Sequence, residues 1–258
     1  MNEPILHATN RYRAEIASGE GVVASQRLRY RVFAKELGAD LPDAQTGLDR
    51  DNYDPHCHHL LVRDLVSGEI VACTRLLMDD AAHRAGGFYS QNEFEMDRIL
   101  TRPGRFVEVG RTCVDPRYRN GIVIATLWQG IGQIVNARKV DFLFGCASVS
   151  LAPDPIYASA VLQRLLTRHR TDAELQVAPL RSLPPSPALP AALAPRMPPL
   201  LRAYVSLGAK ACGEPCWDPA FNVADVFMLL SLREIDSRYG HHFLAAESSP
   251  EIRERVLA

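Results

Sequence analysis

No stretch of the 258-residue chain comes near the roughly 18 uninterrupted apolar residues that a membrane-spanning helix needs. The opening residues, MNEPILHATNRYRAEI, lack a basic segment followed by an apolar one, so no secretory signal is read and a cytoplasmic protein is expected. There is no excess of charge of one sign either. Lys and Arg number 29 against 30 Asp and Glu, a formal net charge of -1, which excludes a generally basic nucleic-acid binder but not a local basic patch. No internal repeat is visible. The six cysteines (Cys57, Cys73, Cys113, Cys146, Cys212 and Cys216) are scattered, and three fall in strand-like apolar runs, as buried free thiols of a reducing compartment do. Neither Pro55-His-Cys-His-His59 nor the Cys212, Cys216 pair has the spacing of a strong zinc site, so no metal is expected.

What is present is an ordinary globular composition, 47% hydrophobic and 23% charged, at a length that suits one large domain or two small ones. Tyr12, Ala14 and Ile16 alternate with polar residues and predict a first strand. Over 22–37 the period changes. Leu28, Val32, Phe33 and Leu37 form a helical stripe, with Arg27, Arg29 and Arg31 around its sides. An aspartate-rich loop spans 40–54. The apolar runs 60–63 and 70–78 flank Ser67-Gly68 and read as an antiparallel hairpin. Residues 105–114 form a strand that Asp115-Pro116 ends. Asn120 is placed to cap a helix buried along Ile124, Leu127, Trp128, Ile131, Ile134 and Val135. A strand over 140–149, a helix over 154–168 and a short strand at 175–178 follow. Eight prolines between 178 and 199 exclude helix or central strand there, leaving a mobile loop or a surface strap. A helix near 200–207, a strand near 223–232 and a helical tail complete a mixed α/β pattern on one twisted sheet, read as a single domain over 1–258.

Three stretches carry a resemblance. They are Arg27-Leu-Arg-Tyr-Arg-Val-Phe33, Leu48-Asp-Arg-Asp-Asn-Tyr-Asp54-Pro-His-Cys57 and Val107-Glu-Val-Gly-Arg111-Thr-Cys-Val-Asp-Pro-Arg-Tyr-Arg119. Together they resemble the acyl-carrier-dependent branch of the GNAT superfamily, which includes the acyl-homoserine lactone synthases and the bacterial ornithine N-acyltransferases that make lyso-ornithine lipid. Phe142-Leu-Phe-Gly-Cys-Ala-Ser148, Gly86-Gly-Phe-Tyr89, Leu200-Leu-Arg-Ala-Tyr-Val-Ser-Leu-Gly208 and Phe221-Asn-Val-Ala-Asp-Val226 resemble the second family more closely. The resemblance implies a GNAT fold, a single twisted mixed sheet flanked by helices. It also implies transfer of an acyl group, 3-hydroxyacyl in this family, from acyl-[acyl carrier protein] to the α-amino group of L-ornithine. The donor is then the acyl-phosphopantetheine of the carrier, with no permanently bound cofactor. The partners are the carrier protein and a small amino acid, and an amphiphilic product makes peripheral contact with the inner membrane an expectation. Alternatives are the same chemistry on glycine, lysine or glutamine, lactone synthesis, or a non-catalytic acyl-carrier or lipid-binding protein.

An amine attacks a thioester only when neutral, and an α-amino group with a pKa of roughly 8 is mostly protonated at neutral pH. The site therefore needs a base and a donor for the tetrahedral oxyanion. Glu108 is the candidate base, against the alternative of an ordinary strand glutamate. Glu108 and Arg111 lie three apart and on opposite faces of a regular strand, so a bulge is needed to bring them to one face. The GNAT resemblance implies such a bulge, which Gly110 is expected to mark. Arg111 then orients Glu108 or binds a substrate carboxylate. Ser148 is a candidate donor near the thioester. Asp51 and Asp54 match the acidic pair of the lactone-synthase plan and are candidates for holding a cationic substrate, or else are turn residues. Arg75 resembles the arginine lining the family's cleft, and Arg29 is either a substrate contact or part of a solvated helix face. Arg117, Arg119 and Gly121 lead into a helix N-terminus that suits a phosphate. The second glycine of the coenzyme A loop is missing there, which favours the single phosphate of a carrier-bound phosphopantetheine. Arg138 and Lys139 either extend that basic patch or simply end a helix.

Overall fold

A computed structural model of the chain describes residues 5–42, 44–185, 195–233 and 235. In chain order the strands and helices are β1 (Ile5–Ala8), β2 (Tyr12–Ile16), α1 (Glu20–Tyr30), β3 (His58–Asp64), β4 (Ile70–Met78) and α2 (Asp79–Ala85). There follow β5 (Phe94–Glu95), α3 (Asp97–Leu100), β6 (Phe106–Val114), α4 (Gly121–Ala137), β7 (Phe142–Ser150) and α5 (Pro155–Arg168). The last are β8 (Ala178–Pro179), α6 (Pro199–Ser206), β9 (Lys210–Ala211), β10 (Cys216–Asp218) and β11 (Val223–Ser231). Among the described residues, 5–86 with 107–140 form one compact unit and 87–106 with 141–235 a second. No helix among them is long and apolar enough to cross a membrane.

The first unit is an antiparallel run of β1, β2, β3, β4 and β6. Because side chains alternate along a strand, the sheet has two apolar faces. On one, α1 buries Leu28 and Val32 against Ala17, Leu61, Cys73 and Cys113. The π-helical turn Arg31–Glu36 continues α1, so the helix expected over 22–37 is one continuous rod, although Leu37 at its end is exposed. On the other face lies α4, capped as expected by Asn120, whose Oδ1 accepts from the N–H groups of Ile122 and Val123. A Cβ at Gly130 of α4 would stand 3.0 Å from Leu60 and 3.1 Å from Ala14, so this glycine is where the helix lies closest to β2 and β3.

β6 carries the expected bulge, one residue further on than Gly110. Cys73 pairs with Cys113 and Arg75 with Gly110, so Thr74 alone stands opposite Arg111 and Thr112. Gly110 keeps its regular partner, and Arg111 takes the left-handed backbone, with φ 52°. A non-glycine residue holds that conformation only when its surroundings over-determine it, which the ion pairs of Arg111 described below do.

In the second unit β7, β11 and β10 are antiparallel neighbours, and α5 packs on β7. Its core is aromatic: the Phe144 ring stacks on Phe227 at 5.2 Å and meets Phe88 edge-on at 4.9 Å. The short strand expected at 175–178 is instead a 3-10 turn, Ala173–Leu175, followed by the two residues of β8. β8 pairs with β5, the Leu180 N–H donates to the Glu93 carbonyl, and the Trp217 N–H donates to that of Arg181. At the far end of the proline-rich segment, Arg164 donates to the Pro195 carbonyl at 3.0 Å and the Tyr157 hydroxyl to that of Arg196. The centre of that segment, 186–194, and the expected helical tail, beyond 235, lie outside the described residues.

Candidate active site

Arg29 is the pivot of the first unit's polar cluster. Helical geometry puts it next to Leu28 and three residues before Val32, on the sheet-facing side, and it is only 1% exposed. It is therefore no part of a solvated helix face. Its Nε donates to Asp49 Oδ2 at 2.8 Å, and Nη1 and Nη2 donate to the two Asp54 oxygens at 2.9 Å each. Arg75, from β4, donates to Asp54 Oδ1 at 2.7 Å and also to Asp51. Arg111 completes the set, with Nη2 and Nε each 3.4 Å from Asp51 Oδ2 and Asp49 Oδ2. Gln26 Nε2 donates to Asp54 at 2.9 Å, and His59 Nε2–H donates to the Asp54 carbonyl at 3.0 Å.

Three arginines from α1, β4 and β6 thus neutralise three aspartates of the loop before β3. Burial pushes the Asp54 carboxyl up, but the hydrogen bonds and charges of Arg29 and Arg75 outweigh it and hold it well below the usual carboxylate range. Asp51 is lowered in the same way, against its own burial, chiefly by Arg75 and then Arg111. Neither aspartate faces bulk solvent, though Asp51 keeps 24% of its side chain exposed.

Glu108 lies on the same face of the sheet as Arg75. It stands opposite Leu77 in β4, two residues from the Arg75–Gly110 pair, and is buried. Cys57 senses Glu108, Asp54, Asp51 and Arg75 together, and burial pushes its thiol up to about 12, so it is no nucleophile at neutral pH. Arg111 reaches Asp49 and Asp51, which fixes its guanidinium within the aspartate network.

The residues expected to meet a phosphate are exposed, and in this structure they face the chain's own acids. Arg117 contacts Asp115 and Glu69, and Arg119 makes a two-point contact with Glu36 at 2.7 Å. Gly121 opens α4, next to the N–H groups that Asn120 already caps. Arg138 is mostly buried, bound to Asp80 and His58, so only Lys139 of that pair is exposed. In the second unit the Ser148 hydroxyl donates to Asp225 Oδ1 at 2.6 Å. Its single proton is committed to that carboxylate rather than turned to an oxyanion.

Residues 28–129 match the family model of the acetyltransferase (GNAT) domain. Over 237 residues the chain is 35% identical to the L-ornithine N(alpha)-acyltransferase of Brucella abortus (strain 2308), a match covering 86% of this chain and 84% of that relative. The chain belongs to the L-ornithine N(alpha)-acyltransferase family. It is an acyltransferase. Its fold is that of GNAT-like acyltransferases. FeeM, an N-acyl amino acid synthase from uncultured soil microbes, aligns with a TM-score of 0.52 at 13% identity, over 88% of this chain and 93% of that one. The AHL synthase LasI aligns with a TM-score of 0.52 at 9% identity, over 92% and 97%.

Several polar residues of this acyltransferase escaped the sequence reading. Asp49 and Gln26 carry no signal of their own. Asp49 becomes legible only as the third acid of a loop whose charge must match Arg29, Arg75 and Arg111. Glu93, Asp218 and Asp225 form a second buried group, with one carboxylate oxygen of each within 4.8 Å of the others. The signal for Asp225 was a lone acid inside the apolar run Val223–Ser231. The His56 to His59 segment forms no such group among the described residues.

Proposed function

We propose that this acyltransferase moves a 3-hydroxyacyl group from the phosphopantetheine thioester of an acyl carrier protein to the α-amino group of L-ornithine. The product is N-acyl-ornithine, the lyso form of a bacterial aminolipid, and the free carrier thiol leaves. What carries the choice of acceptor is the 35% identity, across most of both chains, to a relative named for acylating ornithine at Nα.

The site's chemistry supports this reading. The loop aspartates are each engaged by arginine, so none is available to take the amine's proton. Glu108, buried on the same face, is the base, acting directly or through water. The arginine–aspartate network anchors both Arg111, in the bulge, and Arg75, on the neighbouring strand beside it. Exposed ion pairs are worth only about 0–1 kcal/mol, so a carrier's phosphate can draw Arg117 and Arg119 away from Glu69 and Glu36 at little cost. The amphiphilic product fits work at the cytoplasmic side of the inner membrane, by surface contact.

The test is a product assay. Purified protein is incubated with 3-hydroxyacyl carrier protein and a panel of free amino acids, and products are read by mass spectrometry. N-acyl-ornithine as the main product is the expected outcome; N-acylated glycine or glutamine instead would move the acceptor, and activity with acyl-coenzyme A alone would overturn the donor. Glu108→Gln is expected to lose about 10²- to 10⁴-fold in kcat while still binding the carrier. Full turnover by that variant would remove Glu108 from the role of base.

A further inference from the structure

The second unit holds a group of acids that the mechanism above does not use. Glu93 follows the turn after Phe88, Asp218 ends β10, and Asp225 lies in β11 opposite both Cys216 and Ser148. Glu93 is 2% exposed, Asp225 4% and Asp218 7%. One oxygen of Asp218 caps the turn after β10, accepting from the N–H groups of Ala220 and Phe221. Among the described residues nothing donates to Glu93 Oε2, which is fully buried. Burial is the largest influence on Glu93, and the charges that act on it most strongly, Asp225 and Asp218, are both negative. Its acid is pushed up to about 8, although hydrogen bonds from Cys146 and Tyr89 pull the other way. A buried carboxylate oxygen without a donor, facing two more carboxylates, is an arrangement that a cation would complete.

We propose that Glu93, Asp218 and Asp225 form the binding site for the cationic side chain of the amino-acid substrate, a primary ammonium on an alkyl stem. The proposal rests on the ornithine reading and deepens it. A primary ammonium has three N–H donors and no acceptor, and three carboxylates converge here. A hard divalent ion is less well served, because calcium takes six to eight oxygens and magnesium near-octahedral coordination. The side-chain ammonium of ornithine, lysine-like with a pKa of roughly 10, stays charged throughout the reaction, whereas the α-amine must become neutral. An anionic pocket therefore suits the side chain and distinguishes ornithine from amino acids of the same length with no terminal amine. Ser148 is exposed while its hydroxyl holds Asp225, so this end of the group lies toward solvent.

The experiment compares the full-length wild type with Glu93→Gln and Asp225→Asn, using ornithine and norvaline, which has the same stem without the ammonium. The expected result is a rise of roughly tenfold or more in KM for ornithine, and a similar fall in the ornithine-to-norvaline ratio of kcat/KM, as for loss of a charge-assisted hydrogen bond. Calorimetric titration with ornithine is run alongside, because it needs no turnover, and melting curves check that both variants fold. If the variants keep the wild-type ratio and bind ornithine as tightly, the proposal is wrong. If the wild type makes no N-acyl-ornithine yet binds ornithine, and Glu93→Gln abolishes that binding, the site stands and the assigned reaction falls. Equilibrium dialysis with Mg²⁺ and Ca²⁺ closes the remaining route. One bound ion lost in Glu93→Gln, with ornithine binding untouched, would make this a metal site and overturn the proposal.

Discussion

Arg29 illustrates how much one buried side chain can carry. Its guanidinium serves Asp49 and Asp54 at once, so Arg29→Ala leaves two buried acids short of their partner. The expected cost is about 3–5 kcal/mol, read from urea unfolding. Arg29→Lys is expected to recover only part of it, because a point charge cannot span the Asp49 and Asp54 contacts as the planar fork does. Glu93 has the opposite character. Its folded value of about 8 lies above its ordinary 4.5, so between these the folded protein keeps a proton that the unfolded chain has released. Stability contributed there falls as pH rises through that window and then levels. Glu93→Gln removes this slope, and its unfolding midpoint is expected to gain on the wild type's between about pH 5 and about pH 8. Asp51 and Asp54, with lowered values, act in reverse. Their stabilisation is complete above the ordinary carboxylate range and is lost as acid titrates them.

At the level of elements, the two glycines that matter differ in kind. Gly130 is a packing glycine. Gly130→Val would drive two methyl groups toward Leu60 and Ala14, and about 1–3 kcal/mol of destabilisation is expected in thermal or urea melts, well beyond any gain in helix propensity. Gly110 is not strained, and a Cβ there would make only ordinary contact with Arg75 at 3.8 Å. Gly110→Ala is therefore expected to move stability by no more than about 0.5 kcal/mol, in keeping with a bulge built on Arg111 and Thr112. Long elements were legible because their periodicity is local: α4, α5, β4, β6, β7 and β11 fall close to where alternation and helical spacing put them. β1, β5, β8, β9 and β10 run two to four residues, too short for any period to register, and only their partners define them.

For the molecule as a whole, the near-zero net charge means that, under the proposed function, recognition of an acidic carrier would have to come from a local patch. Arg117 and Arg119, 62% and 46% exposed just before α4, are the candidates for that patch. Added salt is expected to raise the KM for acyl carrier protein. Arg117→Ala with Arg119→Ala should raise it roughly three- to tenfold and flatten the salt dependence, measured over a sodium chloride series. The same scale explains which candidate residues the sequence singled out. Glu108, Arg75 and Asp54 stood out through motif resemblance. The burial of Arg29 and the Ser148–Asp225 contact depend on chain segments 20 to 77 residues away, which no local pattern reports.

The closed arithmetic of the arginine–aspartate cluster has an evolutionary consequence. Removing the charge of any one of Arg29, Arg75, Arg111, Asp49, Asp51 or Asp54 passes through a protein with an uncompensated charge in this cluster, and only a second, matched change can restore neutrality. The charges at these six positions should therefore change in matched pairs or not at all, so that the cluster is inherited as one character.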